Sequence, residues 1–592
     1  MSKNFLICTP IKKSWPNDKK NNLFFVSESS ILSFKGSHDE YAAYSINESR
    51  WLNKKIFSKD FSFLIKIYEK YLILISKELN KYHKTNYSLR FWRILIGPWL
   101  STFIHIYFDR WQNVKSTVKK NKIDKCIFLN FDLDLFIPYD HKNFIYFSQN
   151  DLWNQFLYQK IVKVFLKKNK IKHKNISNQK ITKELKNSIL NKFYKKDDKA
   201  NFKGKIMQSF NYANRKNYKI FLYSTYLGFK NEFKLALKMK QMPIFLIQEN
   251  KSIKKKTDAK IRLKLSNIGL KKNSFEKNLL EVMGIIFPKI FLENFLDLDI
   301  FSKTANIPQN PKIIFTSNSL WYNTKISYHV ANLIDKKKSK LVQGQHGGAM
   351  GLVKHHWPEM HEIKISDYFL SWGWNKRENK KIKKFFILKK LEEYNDKRKS
   401  LLVPLKPRKR YFHSLESSSG TESYRLYIRN VNLFLIRLNK QIINKTILRL
   451  PFKNLDVKDI DFYSDLNSKY NFYSKDSFNE ACEKSKLIIH ASNSTPLLET
   501  LSANIPTILI LDKHQHPVRS DCKKYFELLN ENNIIFYKSD LAASFVNKIW
   551  NSNIESWWNS TKTQKAVKLF TENFARKNYD IVKECYDFLK KI

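Results

Sequence analysis

The sequence predicts an α/β protein of helix-flanked parallel sheets in two large domains, with a helical elaboration towards the N-terminus. Three observations carry this. From residue 218 onwards short apolar, β-rich runs alternate with helical stretches, the pattern of parallel layering. At 592 residues the chain exceeds what one hydrophobic core fills. The first third instead shows helical periodicity: Phe61, Leu64, Ile65, Tyr68, Leu72, Ile75 and Leu79 fall three and four apart on one face.

Hydrophobic residues make up 43% of the chain, enough to bury substantial cores, so global disorder is excluded. Lys plus Arg number 108 against 53 Asp plus Glu, a net charge of +55. That field attracts nucleic acid, anionic lipid or phosphorylated substrates. The excess is mostly lysine and comes with much asparagine and isoleucine, as AT-rich codon usage also produces. No zinc finger or RNA-binding signature accompanies it, so no specific nucleic-acid partner is expected. Cys8, Cys126, Cys482, Cys522 and Cys585 are scattered and odd in number, which fits a reducing cytoplasm. No apolar run reaches the length of a membrane span, although lysines near aromatics could touch an anionic inner membrane face.

In order, residues 4–9 read as a first buried strand and 61–82 as a long helix. The segment 87–111 sets Arg90, Arg93, Asp109 and Arg110 among tryptophans, and Gly97–Pro98 is expected to break any helix through it. Arginine with tryptophan makes either an anion-gripping surface or a packed seam. Residues 126–136 form a strand-like run closing on Asp132 and Asp134, a pair that could meet a metal. Asn150 can cap the following helix. Strands are expected at 218–223, 243–248, 312–316, 340–343, 446–450, 486–490 and 506–511.

Two stretches then stand out. Residues 343–351 read QGQHGGAMG, and this glycine density demands a sharp turn or close approach. Ser317, Asn318, Gly344, Gln345, His346, Gly347 and Gly348 follow consecutive strands, where open parallel sheets bind ligands. Residues 491–496, ASNSTP, join a strand to a helix containing Glu499. Ser492, Ser494 and Thr495 with free amides at the helix start make a phosphate cradle. His355, His356, Glu359, His361 and Glu362 invite a metal reading, but the zinc-protease spacing is absent and Pro358 interrupts the helix.

These marks, with FDRW at 108–111, TSN at 316–318, the WGW after His361 and Trp557–Trp558, resemble a bacterial transferase family of surface carbohydrate biosynthesis such as lipopolysaccharide or capsule. More distantly they resemble GT-B glycosyltransferases and CDP-glycerol glycerophosphotransferases. The resemblance implies two Rossmann-like domains facing a cleft. Residues 1–335 would form the acceptor-side domain with its elaboration, 336–560 the donor-binding domain, and 561–592 a helical segment packing back. It implies His346 as the catalytic residue, with Glu40 and Glu48 as further candidate bases. Ser494 and Thr495 would hold donor phosphate, Glu499 the ribose, and Arg449 would neutralise the leaving nucleotide. Gly344, Gln345, Gly347, Gly348 and Ser492 would complete the donor site, and Arg90, Arg93, Ser317 and Asn318 the acceptor side. The expected substrates are a nucleotide-activated sugar and a glycan or lipid-linked acceptor, with no metal cofactor. Transfer of an alditol phosphate and non-catalytic polyanion or membrane binding are the alternatives.

Overall fold

The computed structural model describes residues 2–31, 41–177, 202–244, 255–269, 273–388, 391, 398–406, 410–416, 421–450, 471–473, 476–511 and 517–592. Three parallel sheets follow one another along the chain. The first contains β1 (Asn4–Ile7), β2 (Asn22–Phe25), β3 (Ala43–Ile46), β4 (Lys125–Leu129) and β5 (Lys172–Ile176), in the order β3-β2-β1-β4-β5. The second contains β6 (Ile220–Leu222), β7 (Ile313–Thr316), β8 (Lys340–Gly344), β9 (Tyr368–Ser371) and β10 (Ile382–Lys384), paired in simple sequence order. The third contains β11 (Ser400–Pro404), β12 (Thr446–Arg449), β13 (Asn471–Tyr473), β14 (Ser485–His490), β15 (Thr507–Ile510) and β16 (Ile535–Phe536).

The third sheet runs β13-β12-β11-β14-β15-β16, the doubly wound order in which two halves diverge from the gap between β11 and β14. Buried central runs such as Leu487–Ile488–Ile489 and Ile508–Leu509–Ile510 are apolar throughout because helices cover both faces. The architecture is an α/β stack of helix-flanked parallel sheets with an N-terminal extension. That extension is more than helical, since it carries the first sheet.

Position 335/336, the domain boundary read from the sequence, falls between β7 and β8. These strands pair from Ile313↔Lys340 to Thr316↔Gln343, so the glycine-rich motif ends a strand of the middle sheet instead of opening the third unit. The last two helices pack on different units. Helix Thr561–Phe574 buries Ala566, Val567 and Phe570 against the third unit. Helix Ile581–Lys591 buries Cys585 and Leu589 with Ile220 and Leu235 of the middle one.

Two long helices, α1 (Lys54–His83) and α2 (Leu89–Lys120), bind the first two units together. α2 runs straight through Gly97–Pro98, against the break read from the sequence. Proline costs a helix one backbone bond, but residues 91–111 are all buried here, and packing on that scale outweighs the loss. Gly97 has a separate role: a Cβ there would lie 2.7 Å from both the His361 ring and the Tyr68 hydroxyl. Asp132 accepts the Asp134 amide at 3.2 Å as the cap of a short 3-10 helix, so the pair serves local structure. Asn150 caps its helix as expected. The strand expected at 243–248 lies mostly outside the described residues.

Candidate functional site

The loop after β8 is held from beneath. Gln345 is fully buried, and its Oε1 accepts the Trp372 amide at 2.9 Å and the Trp374 indole N–H at 2.7 Å. Its Nε2 donates to the Gly347 carbonyl at 2.9 Å. The side chain is spent on pinning the loop to the WGW stretch and does not face a ligand. Gly344 is required for the same tightness, since a Cβ would meet Leu388 and the Ser317 hydroxyl at 2.7 Å. At Gly347 a Cβ would meet nothing, and this is the open side of the loop.

His346 emerges from that anchored base. Its Nε2 lies 2.8 Å from Glu362 Oε1, on a carboxylate that is only 2% exposed. Glu362 comes from helix Trp357–Ile365, whose N-cap is His356. A buried carboxylate on one imidazole nitrogen sets the tautomer, so that Nε2 carries the proton and Nδ1 is offered as the basic atom. The Tyr226 ring stands edge-on to the imidazole at 6.3 Å.

The second motif meets the first directly. The Gly348 amide donates to the Thr495 hydroxyl at 3.0 Å across 147 residues of chain. A Cβ at Gly348 would lie 2.7 Å from the Thr495 nitrogen and the Ser494 carbonyl carbon, so only glycine permits this approach. Ser494 is the N-cap of helix Thr495–Ser502, with Pro496 in its first turn. The turn follows β14, one of the two strands flanking the point where the third sheet reverses, the usual ligand crevice of such folds. Asn493 in this turn is 4% exposed, and neither its Oδ1 nor its Nδ2 has a protein partner. Glu499 is buried one turn into the helix and acts electrostatically on Tyr226. Ser492 is buried beside Ser494. Arg449 ends β12, half-buried over the Phe478 ring, with its Nε enclosed and unbonded.

The residues expected on the acceptor side are used differently. Arg93 donates to both Glu69 oxygens at 2.7 Å. Arg90 donates to the Ile365 carbonyl at 2.9 and 2.7 Å and to Asp367 at 2.8 Å. Both belong to a packed seam. Ser317 donates to the Thr225 carbonyl at 2.9 Å, and Asn318 accepts from Ser224 at 3.0 Å and donates to the Tyr226 hydroxyl at 2.6 Å. These two side chains hold the turn after β6. Glu48 is exposed just past β3, in a different sheet from His346, and Glu40 lies outside the described residues.

The histidine and glutamate run is dispersed. His355 meets Ser58 at 3.0 Å, His356 caps its helix, and Glu359 takes the Gly351 amide at 2.7 Å. His361 is buried, and burial drives its pKa down to about 3. Among the described residues no group of three or more His, Cys, Asp or Glu side chains is placed to hold a metal. Glu362, Asn493 and Tyr226 are the functional candidates that pattern reading missed as such. No local spacing marks them, because each gains its place only when distant segments meet.

A transferase family pattern matches residues 4–589. The chain belongs to the LIC12162 family of transferases. No curated protein matches it. Among solved structures, S. aureus MnaA with UDP is similar at 10% identity over 63% of this chain and 97% of that one, with a TM-score of 0.34. WaaG, a glycosyltransferase of lipopolysaccharide biosynthesis, is similar at 11% identity over 48% and 86%, TM-score 0.28. The wall teichoic acid polymerase TagF is similar at 15% identity over 48% and 78%, TM-score 0.25. At these scores the likenesses add nothing to the architecture read from strand order. Among the described residues no helix is long and apolar enough to cross a membrane.

Proposed function

We propose that this transferase moves a sugar from a nucleotide-activated donor to a hydroxyl of a surface glycan or lipid-linked acceptor. The observation that carries the reading is the contact of the His346 loop with the SNST turn through Gly348 and Thr495. It sets a carboxylate-backed imidazole beside a helix start suited to phosphate. Donor phosphate would be held by the free amides of helix Thr495–Ser502 and the Asn493 amide, with Arg449 balancing its charge. Glu499 would take the ribose.

In the reaction His346 Nδ1 takes the proton of the acceptor hydroxyl as its oxygen bonds to the anomeric carbon. The bond from that carbon to the phosphate oxygen breaks, and the nucleotide leaves with the electron pair. Glu362 stabilises the imidazolium that forms, in the manner of a base oriented by a third group. The protein works in the cytoplasm, where nucleotide sugars are made, with its lysines against the anionic inner membrane face that carries the acceptor.

Calorimetry against CMP, CDP, UDP and GDP, with sugar and glycerol conjugates of whichever binds, tests this. Selective binding lost in Asn493→Ala supports the reading, and preference for a CDP-glycerol conjugate would move the chemistry to alditol phosphate transfer. Affinity that follows phosphate count alone and fades with salt would leave only polyanion binding.

A further inference from the structure

The short helix Ser319–Tyr322 follows the TSN motif at the carboxyl end of β7, beside β8, the strand that leads into the His346 loop. Its first three residues are spent on holding it in place. Ser319 is buried with its hydroxyl 2.5 Å from that of Thr316, and Leu320 is buried in the core. Trp321 packs edge-on against His361 at 5.4 Å and His141 at 6.3 Å. Tyr322, the last residue, is turned outwards and is 50% exposed, an aromatic face that the fold leaves uncovered. Yet this ring does not stand on a convex surface. Surrounding protein desolvates it, and Glu416, Glu362 and Tyr226 act on it, which together push its pKa up to about 12. Glu362 is the carboxylate that holds His346, so Tyr322 lines the recess beside that imidazole.

We propose that Tyr322 is the stacking platform of the acceptor subsite, its ring packing on the C–H face of a neutral sugar. The assignment rests on the glycosyltransferase reading. Charge selects this occupant. Among the described residues, the charged groups that act on Tyr322 are two carboxylates, Glu416 and Glu362. Carboxylates repel a phosphate and accept hydrogen bonds from sugar hydroxyls. Donor phosphate is read instead at the SNST turn, where helix amides and Arg449 answer negative charge. An open aromatic face with acceptors nearby matches a ring that is apolar on one side and carries hydroxyls at its rim. A sugar stacked on Tyr322 shares Glu362 with His346, and one of its hydroxyls would give its proton to that imidazole.

The experiment is saturation-transfer NMR and calorimetry on the full-length protein, loaded with whichever of CMP, CDP, UDP and GDP binds best. The probes are methyl glycosides of the common hexoses, N-acetylhexosamines and deoxyhexoses, with phosphorylated hexoses as charged counterparts. Wild-type protein should bind at least one neutral glycoside, and its phosphorylated counterpart more weakly. Tyr322→Ala should weaken that glycoside about tenfold, the size of one aromatic contact, with nucleotide affinity unchanged. Tyr322→Phe keeps the ring and should bind the glycoside as wild type does, which a hydrogen-bonding role for the phenol would not allow. Glycoside affinity that survives Tyr322→Ala, no glycoside bound by the loaded protein, or tighter binding of the phosphorylated sugar overturns the assignment and leaves the donor reading intact. Nucleotide affinity lost in Tyr322→Ala also overturns it, by moving the ring to the donor. If wild-type protein binds none of the four nucleotides, the donor reading itself falls, and this assignment with it.

Discussion

The glycine-rich loop around His346 and the α2 seam around Arg90 and Arg93 contain the same kinds of chemically capable residues and use them in opposite ways. In the seam, the Arg93 fork is filled by Glu69, and Arg90 by the Ile365 carbonyl and Asp367. His361 and His105 there are buried, with pKa values driven down to about 3 and 4 by desolvation. At the loop, His346 has one nitrogen on Glu362, its side chain is 18% exposed, and Gly347 has open space around it. A residue type announces chemistry only where the fold leaves part of its bonding capacity unspent.

This contrast can be broken most sharply at His346. His346→Ala should lower turnover by about 10²–10⁴, the range for removing a general base. Full turnover in a folded variant would sink the catalytic assignment. Acid should act on the buried histidines. His141, His361 and His490 are held near 3, and His83, His105 and His329 near 4, each chiefly by burial. Their folded pKa values lie below the unfolded value of about 6.5, so the unfolded chain takes up protons first. Stability is complete above pH 6.5 and falls progressively towards pH 3–4, by on the order of 1 kcal/mol per histidine at pH 5.5. Equilibrium urea unfolding from pH 7.5 to 5 measures it, and a flat profile would mean these rings are not buried neutral.

Arg93→Ala tests the seam without touching the loop. Its guanidinium is buried but Glu69 is partly exposed, so the loss should be about 1–3 kcal/mol, below that of a fully buried pair. Nucleotide affinity should not change, and a selective loss of acceptor or nucleotide binding would return Arg93 to the site. The smallest effect is expected at the joint between the two motifs. Gly348→Ala forces the loop away from Thr495 and should weaken nucleotide binding by about tenfold in calorimetry. Wild-type affinity in this variant would show that the contact does not shape the cradle.

Much of the architecture was legible in the chain. Runs such as Lys340–Gly344 and Ser485–His490, with polar residues at their carboxyl ends, announced parallel strands and the place of a site. Three features were not. Pro98 reads as a helix breaker, yet α2 passes through it because every residue around it is buried. Position 335/336 reads as a domain boundary, yet it lies in the helix Thr324–Lys337, and β7 and β8 on either side of it pair. Gln345 reads as a ligand contact, yet it is consumed by Trp372 and Trp374, residues 27 and 29 positions away.

Apolar patterning, caps and glycine placement are local properties, and from them the chain alone dictates its α/β class, most of its strands and the two motifs. Which polar groups are satisfied and which stay available is a property of distant neighbours. Only the tertiary structure decided that Glu362 would back His346, that Thr495 would reach Gly348, and that Asn318 would hold Tyr226. The physical reason is the hydrogen bond itself. It depends on a partner within about 3 Å, and sequence separation carries no information about which partner that will be.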